Sequence, residues 1–384
     1  MTAARNLSRV VGTLVQQGLN KPNANPIVIN GNLQHNQYET NNTLTGLGDS
    51  DEGYVIHDRL RHTLDAGAGR YTAANLAITD LPGFSQCLHL TCTTAEASLA
   101  TNNSIFSLDY RVEAFDISSL LNWSDTSNDT SAKYITVSFY MKTNKAFKFT
   151  TGFINSDHNR TIRKEFTTST DWTRHVLTFP PDIGNSPNSD FGEGLRWRTT
   201  ISAGSDFTSG TLATDWEANT NANMHTSNTP NNFFDSTDND IKMTGLQIEI
   251  GQYTSDTIPD FQPTDIGIDL MRCHRYCQSQ VDGADQLLGV TNSHTNTICN
   301  VGMYNFGVFR NTPTVVQNNG TDSFKHNTEA ATRGPWDTMN QVGFGTINGT
   351  VIQVSGTGSD VAYQGSTGYI WTNSAARLLL SAEL

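Results

Sequence analysis

Residues 244–278 read TGLQIEIGQYTSDTIPDFQPTDIGIDLMRCHRYCQ. From Leu246 to Ile250, apolar residues alternate with polar ones, and this period of two predicts a strand with one buried face. Pro259 and Pro263 then end the strand, because proline has no amide hydrogen to donate to a sheet ladder. The stretch therefore begins as a β-strand and breaks into an irregular crossing.

A short helix should follow the crossing. Thr264 or Asp265 offers a cap, and a mostly apolar turn or two runs from there to Cys273. Strand, crossing and helix together indicate the passage from one β-domain to another. We therefore expect four parts: an N-terminal arm (1–35), a jelly-roll domain (36–262), a linker helix (263–278) and a smaller C-terminal β-sandwich domain (279–384).

The composition predicts a mainly β protein. Of the 384 residues 36% are hydrophobic and only 16% are charged, so Asn, Thr, Ser, Gln and Gly carry much of the rest. Thr favours strands, and Asn and Gly suit the turns between them. From Tyr38 to Tyr253 the pattern gives about eight to ten strands, which a two-sheet antiparallel jelly roll accommodates. The segment Ser202–Asp240 lacks this pattern and should be an ordered excursion.

The charge balance restricts the partners. The net charge is −13 and no run of Lys or Arg occurs, so we expect no nucleic-acid binding. No apolar run has the length of a membrane span, so we expect no membrane insertion. Five cysteines are a sparse and odd-numbered set, so we expect no disulfide framework. Free thiols would fit assembly in a reducing cytoplasm.

The first 35 residues differ from the rest. One short helix and one isolated strand cannot build a core, so this segment is either a frayed end or an arm that docks on a partner. We favour the docking arm. Its contacts would come from apolar side chains at helical spacing: Leu7, Val10, Val11 and Leu14.

Two residue groups suggest metal binding. Cys273, His274 and Cys277 have no second pair to complete a four-ligand zinc site, so we expect the cysteines to pack in a core. An acidic run could bind calcium through oxygen but lacks the glycine and closing glutamate of an EF-hand loop. We favour the interpretation that this acidic run is a solvated turn. Its three carboxylates are Asp235, Asp238 and Asp240.

Catalytic motifs are missing from the sequence. Asp109 with Glu113, and Asp215 with Glu217, are nominal carboxylate pairs, but no nucleophile elbow, HExxH or phosphate loop occurs. We therefore expect no enzymatic activity and no cofactor. A glycan-binding protein would instead need exposed aromatic side chains, and the candidates are Trp123, Tyr140, Trp197 and Trp216, whereas Trp172 is expected to fill the core.

Several segments carry a likeness to a known family. Thr244–Gly251 followed by Cys273–Tyr276 is similar to a GxQLExG…CxRYY signature, although Cys277 replaces its last aromatic. Further matching segments, in chain order, are Asp58-Arg59, Val137–Lys142, Asp171-Trp172, Asp235–Thr237, Phe309–Val315 and Ser381–Leu384. Over about residues 27–384 the chain resembles virion structural proteins of tailed bacteriophages, common in marine phages, that contain a carbohydrate-binding-module-like jelly roll.

The resemblance implies a function. A protein of this kind is a tail fibre or spike-like appendage, commonly homotrimeric, that is assembled in the host cytoplasm and resides in the virion. The N-terminal arm would contact other virion proteins, and the β-domains would contact host surface polysaccharide. Two alternatives stay open: a capsid decoration protein or head fibre without a receptor role, and a polysaccharide depolymerase.

Overall fold

The computed structural model describes most of the chain as antiparallel β-structure. The described residues are 26–39, 41–99, 103–124, 130–226, 232–295, 298–304, 306–317, 323–328, 332–341, 346–356, 367–373 and 376–384. They form 22 strands and three helices. The predicted docking residues Leu7, Val10, Val11 and Leu14 lie outside the described residues.

The first 13 strands and the first two helices build the larger domain. The helices are α1 (Ala114–Leu121) and α2 (Ser205–Thr208). The strands are β1 (Thr43–Leu47), β2 (Gly53–Tyr54), β3 (Leu60–Asp65), β4 (Arg70–Ala77), β5 (Gln86–Thr94), β6 (Ile105–Glu113), β7 (Ile135–Thr143), β8 (Lys148–Asn155), β9 (Arg160–Thr167), β10 (Thr173–Phe179), β11 (Glu193–Ala203), β12 (Glu217–Ala218) and β13 (Asp240–Ile250).

Two sheets face each other across one core. The first sheet has the order β1-β4-β5-β13-β7-β10, and the second has β12-β9-β8-β11-β6-β3-β2. Strand β7 shows how each sheet contributes to the core: its residues Ile135, Val137, Phe139 and Met141 are fully buried and point into it. Because side chains alternate along a strand, the residues between them face outward. The predicted antiparallel jelly roll is confirmed.

Residues 26–35 belong to this body, which corrects the expected extent of the N-terminal arm. Ile27, Val28 and Leu33 are buried in the main core of the jelly roll. The amide of Ile29 also donates to the hydroxyl of Tyr110 at 2.7 Å. The carbonyl of Gly31 accepts from the amide of Leu246 on β13 at 2.9 Å, so the segment contacts both sheets. Because the jelly roll itself covers these apolar side chains, they do not need a partner protein.

The excursion between β11 and β13 is ordered where it is described, as predicted. It contains α2 and two short 3₁₀ turns, Asn221–Asn223 and Phe233–Asp235. Phe233 and Phe234 insert into the main core, and Phe207 packs with Met224 against the outer side of the second sheet. Its aromatic side chains therefore fix it to the sandwich.

The predicted strand, crossing and helix are all present in residues 244–278. Helix α3 (Ile266–Cys273) begins after Asp265, whose Oδ1 accepts hydrogen bonds from the amides of Gly267 and Ile268. Cys273 is fully buried with Ile29 and Tyr276. No helix of the described part of the chain is long and apolar enough to cross a membrane.

The C-terminal module is antiparallel, as expected, but it is not a simple two-sheet sandwich. Strands β15, β16, β20, β19, β18 and β21 close into a barrel, and β14, β22 and β17 form a separate sheet. Closure pairs both edges of the long strands. The strands are β14 (Cys277–Gly283), β15 (Leu287–Thr295), β16 (Ile298–Tyr304), β17 (Thr314–Gln317), β18 (Phe324–Thr328), β19 (Thr332–Gln341), β20 (Gly349–Gly356), β21 (Thr367–Thr372) and β22 (Ala376–Ser381).

A buried polar joint connects the two modules. Arg59 of the jelly roll forms an ion pair with Glu383, and both side chains are almost fully buried. The Arg59 guanidinium also lies 3.5 Å from the ring centroid of Tyr276. Beside it, Arg275 binds the carboxylate of Glu113 at 2.6 Å. Charged groups from both modules therefore satisfy one another at the contact.

Candidate glycan-binding face

The four aromatic residues predicted to bind glycans occupy three different environments. Trp197 is 0% exposed and packs 5.5 Å from Phe139 between the sheets, so its selection was wrong. Its position on β11 faces inward together with Leu195 and Ile201. Strand alternation therefore turns this side chain into the core, away from any ligand.

Trp123 and Trp216 form an edge-to-face pair with ring centroids 5.6 Å apart. Trp123 is 5% exposed, and its Nε1 donates to the carbonyl of Lys133 at 2.8 Å. The Nε1 of Trp216 donates to the carbonyl of Pro180 at 2.7 Å. Since both indole N–H groups are used inside the domain, this pair braces one end of the sandwich.

Tyr140 lies on the outer face of the first sheet and belongs to a row of half-buried aromatic side chains. Its ring centroid is 5.2 Å from that of Phe84, which is 5.1 Å from that of Phe261. Trp172, which was expected to fill the main core, instead packs in the same outer cluster as Phe84 and Tyr140. We call these four residues the aromatic platform.

A bulge in β13 makes room for the platform. Thr244 pairs with Tyr140 and Gln247 with Ser138, so one extra residue lies on β13. Within the bulge Gly245 has φ +66°, a conformation that glycine adopts without steric cost. A Cβ there would lie 2.8 Å from Phe84 and 2.9 Å from Tyr140. The missing side chain therefore lets the two rings pack across the strand.

Polar side chains flank the platform. Arg174 lies over Tyr140, with 5.7 Å between its Cζ and the ring centroid. The same guanidinium donates to Gln247 Oε1 at 2.9 Å and to the carbonyl of Pro259 at 2.7 Å. On the other flank Lys142 donates to Asp80 at 2.8 Å, and this bond lowers the pKa of Asp80. Donors and acceptors thus border the apolar rings.

The platform is an open surface with little enclosed volume. A cavity of about 20 Å³ lies at its Phe261 end and is also lined by Gln247 and Glu249. This volume holds roughly one water molecule. Burial raises the pKa of Glu249 beside it. The arrangement suits a flat contact with an extended molecule better than capture of a small substrate.

Two of the three calcium candidates, Asp235 and Asp240, lie beside basic side chains. Lys145 binds Asp235 at 2.6 Å, and His89 lies 3.3 Å from Asp240. Asp238 lies in the exposed turn between them. Within the described ranges no group of three or more His, Cys, Asp or Glu side chains is arranged to hold a metal ion.

The cysteines pack as expected. All five are free thiols and buried. Cys87 packs with Ile78 and Leu81 on the outside of the first sheet, whereas Cys92 lies in the main core, so the two side chains leave β5 on opposite faces. Burial raises the pKa of the Cys273 and Cys277 thiols.

Sequence reasoning missed Phe84 and Phe261. Phe84 sits in the turn LPGFS between β4 and β5, and Phe261 lies between Pro259 and Pro263. Both are aromatic residues in Gly- or Pro-rich turns, where no strand periodicity assigns them to a core. An aromatic residue in such a turn is a signal that sequence reasoning can use, because its side chain can fold back over a neighbouring sheet face and form a surface site there.

Comparisons with known proteins give weak likenesses. No family model and no curated protein matches the chain. Among solved structures it is similar to the enzymatically active domain of tailspike protein 4 from bacteriophage CBA120, with 11% identity and a TM-score of 0.28 over 59% of this chain and 21% of that one. It is also similar to the family 11 carbohydrate-binding module of a Clostridium thermocellum cellulase, with 9% identity and a TM-score of 0.27 over 55% of this chain and 96% of that one.

A third structure is TmCBM61 in complex with beta-1,4-galactotriose. Its identity is 8% and its TM-score 0.26, over 59% of this chain and 99% of that one. At such TM-scores the likenesses carry no argument about what this chain binds. The candidate site therefore rests on the geometry of its own residues.

Proposed function

We propose that the protein binds polysaccharide through the aromatic platform and does so without catalysis. The observation that carries this proposal is a row of half-buried aromatic rings on an open sheet face, bordered by Arg174, Gln247 and Asp80. A sugar ring has a flat patch of C–H groups that packs on an aromatic face, and its hydroxyls need hydrogen-bonding groups at the rim. The platform supplies both.

The buried carboxylates support a non-enzymatic role. Asp109 accepts bonds from Arg198 at 2.7 and 2.6 Å, and this arginine lowers the pKa of Asp109 against the effect of burial. Glu113 is held by Arg275 and Tyr276. A glycosidase acid needs a raised pKa and a free approach to the sugar. Both carboxylates are buried and bound by arginine, so neither offers a sugar a free approach.

The experiment compares platform variants with a remote control. Tyr140→Ala and Phe84→Ala should each weaken retention on polysaccharides of the host cell surface by at least about tenfold, since each removes a stacking face. Tyr369→Ala, an exposed tyrosine of the C-terminal barrel, should bind as the original protein does. If the three variants are retained equally on polysaccharide, the aromatic platform is not the binding site. Release of reducing ends by the original protein would establish a depolymerase instead.

We further propose that the protein is a phage virion component, a tail fibre or spike-like appendage. The ordered likeness of its segments to phage structural proteins supports this role. Labelling the protein on purified particles tests it: density on the tail is expected, and density on the capsid would establish the decoration-protein alternative. Deleting residues 1–25 should leave the body folded, because the buried residues from Ile27 onward remain, but should prevent incorporation.

Exposed apolar side chains at the joint support the proposed homotrimer. The rings of Phe115 and Phe191 are 4.8 Å apart, and Arg275 lies over Phe191 at 5.6 Å. His274 lies 5.7 Å from Phe306. A symmetric assembly would bury one such patch per copy. Its exposed apolar members, which we call the waist patch, are Phe115, Phe191, Ile268, Met271 and Phe306.

Sedimentation of the purified protein tests this assembly. Met271→Asp and Phe306→Asp should each shift the protein toward monomer, because each puts a charge into the buried contact. Val290→Asp, on the barrel and equally exposed, is the matched control. If both waist variants remain trimeric, the interface between subunits does not lie at the waist patch.

A further inference from the structure

A line of charged residues crosses the outer face of the second sheet. Strand pairing sets Arg61 opposite Asp109, Asp109 opposite Arg198, Arg198 opposite Gly152 and Gly152 opposite Arg163. The inward neighbours of these residues are in the main core, so by alternation the line faces away from it. Three guanidinium groups therefore share one face with a single carboxylate.

The next line of the same face adds two more arginines. Arg111 pairs across the strands with Arg196, and both side chains contact Glu193, at 3.1 and 2.8 Å. Arg61 has one further partner, the exposed Glu52, at 2.8 Å. The two lines thus hold five arginines, whose carboxylate partners are Asp109, Glu193 and Glu52, and a fourth carboxylate, Glu113, stands opposite Glu193 at their end. This excess of positive charge is unusual because the whole chain has a net charge of −13.

Arg163 has no carboxylate of its own. It is fully buried, and its Nε donates to Thr161 at 3.0 Å while Nη1 donates to the carbonyl of Arg198 at 3.4 Å. Burial, followed by the charge of Arg198, lowers the pKa of Arg163 to about 9. A buried guanidinium without a counter-charge is costly, and an anion is the group that removes this cost.

Unpaired hydrogen-bonding atoms lie on the same face. The Nη2 of Arg163 and the hydroxyls of Ser107 and Thr200, which oppose each other in register, are buried and have no hydrogen-bond partner in the described part of the chain. Buried polar atoms are almost always paired in native proteins. The excursion covers this part of the face, where Ala213 accepts from the amide of Arg163 and His225 bonds to Thr150, the register partner of Thr200. Arg163 therefore adds positive charge beneath the surface, and a ligand would contact the partly exposed arginines beside it.

We propose that this face, which we call the arginine face, binds an acidic polysaccharide through its carboxylate or sulfate groups. The side chains of Arg61, Arg111, Arg196 and Arg198 are between 11% and 22% exposed, so each is partly open to solvent. Guanidinium groups match carboxylate and sulfate oxygens through paired N–H donors. An extended acidic chain can bind several of these groups along the two lines at once.

The arginine face is a separate site from the aromatic platform. The two sheets pack through their inner faces, so their outer faces lie on opposite sides of the sandwich. The platform offers stacking surfaces for sugar rings, whereas the arginine face offers fixed positive charge. Binding to one face should therefore persist when the other is disabled.

The test measures binding of the full chain to immobilised polygalacturonate, dextran sulfate and neutral dextran. We expect binding to one or both acidic polymers, falling steeply as salt is raised from 50 to 300 mM, as for any exposed charge contact. The double variant Arg61→Gln/Arg196→Gln should weaken that binding by about tenfold or more. Lys133→Gln/Lys325→Gln, which removes two charges elsewhere, is the control and should bind normally.

Two further measurements keep the result interpretable. Circular dichroism establishes that the double variant is folded, and Arg111→Gln serves in its place if it is not. Tyr140→Ala should keep its affinity for the acidic polymers, which separates this site from the platform. Equal binding by the arginine and lysine variants would overturn the proposal. Equal displacement by single-stranded DNA would also overturn it, because that outcome indicates a general polyanion contact.

Discussion

The substitution Gly245→Ala tests how the aromatic platform is built. Gly245 has φ +66°, and a Cβ at this position would lie 2.8 Å from Phe84 and 2.9 Å from Tyr140. Both distances are shorter than carbon atoms tolerate, so the rings must move apart or the bulge must reshape. The substitution therefore adds backbone strain and crowding at one position.

The expected cost follows from these two contributions. A non-glycine residue in the left-handed region costs about 1–2 kcal/mol, and forcing an extra carbon into a packed contact costs about 1–3 kcal/mol. Gly46→Ala is a matched control, because Gly46 has φ +76° and open space where its Cβ would be. Both substitutions change the unfolded chain alike, so that effect cancels. Gly245→Ala should be less stable than Gly46→Ala by about 1–3 kcal/mol.

Chemical denaturation with a jelly-roll probe measures the difference. Trp197 is fully buried in the core, so its fluorescence reports unfolding of the domain that contains both glycines. Polysaccharide retention should fall in Gly245→Ala and stay unchanged in Gly46→Ala. If the two variants have equal stability and equal retention, Gly245 does not position Phe84 and Tyr140, and the account of the platform fails.

Three further predictions concern the core, the joint and acid stability. Trp197→Ala should lower the free energy of unfolding by about 3–5 kcal/mol, and the folded fraction should bind polysaccharide normally. Glu383→Gln leaves Arg59 buried without its counter-charge, so the free energy of unfolding should fall by about 3–5 kcal/mol and amide hydrogen exchange in β22 should become faster. Unchanged exchange would contradict a joint that is held by this pair. Burial lowers the pKa of His57 to about 4 and that of His62 to about 3 in the folded protein. As the pH falls, these histidines are protonated in the unfolded chain before they are protonated in the folded protein, so the free energy of unfolding should fall between pH 6.5 and 4. Burial raises the pKa of Asp58 to about 7, which opposes that loss, so denaturation curves of Asp58→Asn should show a steeper fall with acid.

Much of the fold could be predicted because period-two patterns are strong in this chain. In strand β7 the apolar residues that face the core, from Ile135 to Met141, alternate with polar or aromatic residues on the other face, and this period of two predicts a strand. Residues 26–35 were assigned wrongly because Ile27 and Val28 form only a short apolar run. The partners of this segment, such as Tyr110 and Leu246, are distant in sequence, and local pattern does not reveal such contacts.

The site was less predictable because exposure depends on strand direction and tertiary cover. Tyr140 and Trp197 are both aromatic residues on central strands, yet one faces outward and the other lies in the core. The arginine face was missed for a related reason. Arg61, Arg163 and Arg198 lie on three separate strands, and only strand pairing brings them into one line.

The joint decides how these faces would be presented. Glu383 and Arg59 are far apart in sequence, but their buried pair, with Tyr276 stacked on the guanidinium, joins the end of the C-terminal module to the turn before β3. A buried ion pair tolerates little displacement, because separating its charges leaves both without solvent. In an assembly of several copies this rigidity would fix the angle between neighbouring binding faces. Simultaneous attachment would then depend on the spacing of the glycan chains more than on the affinity of any single face.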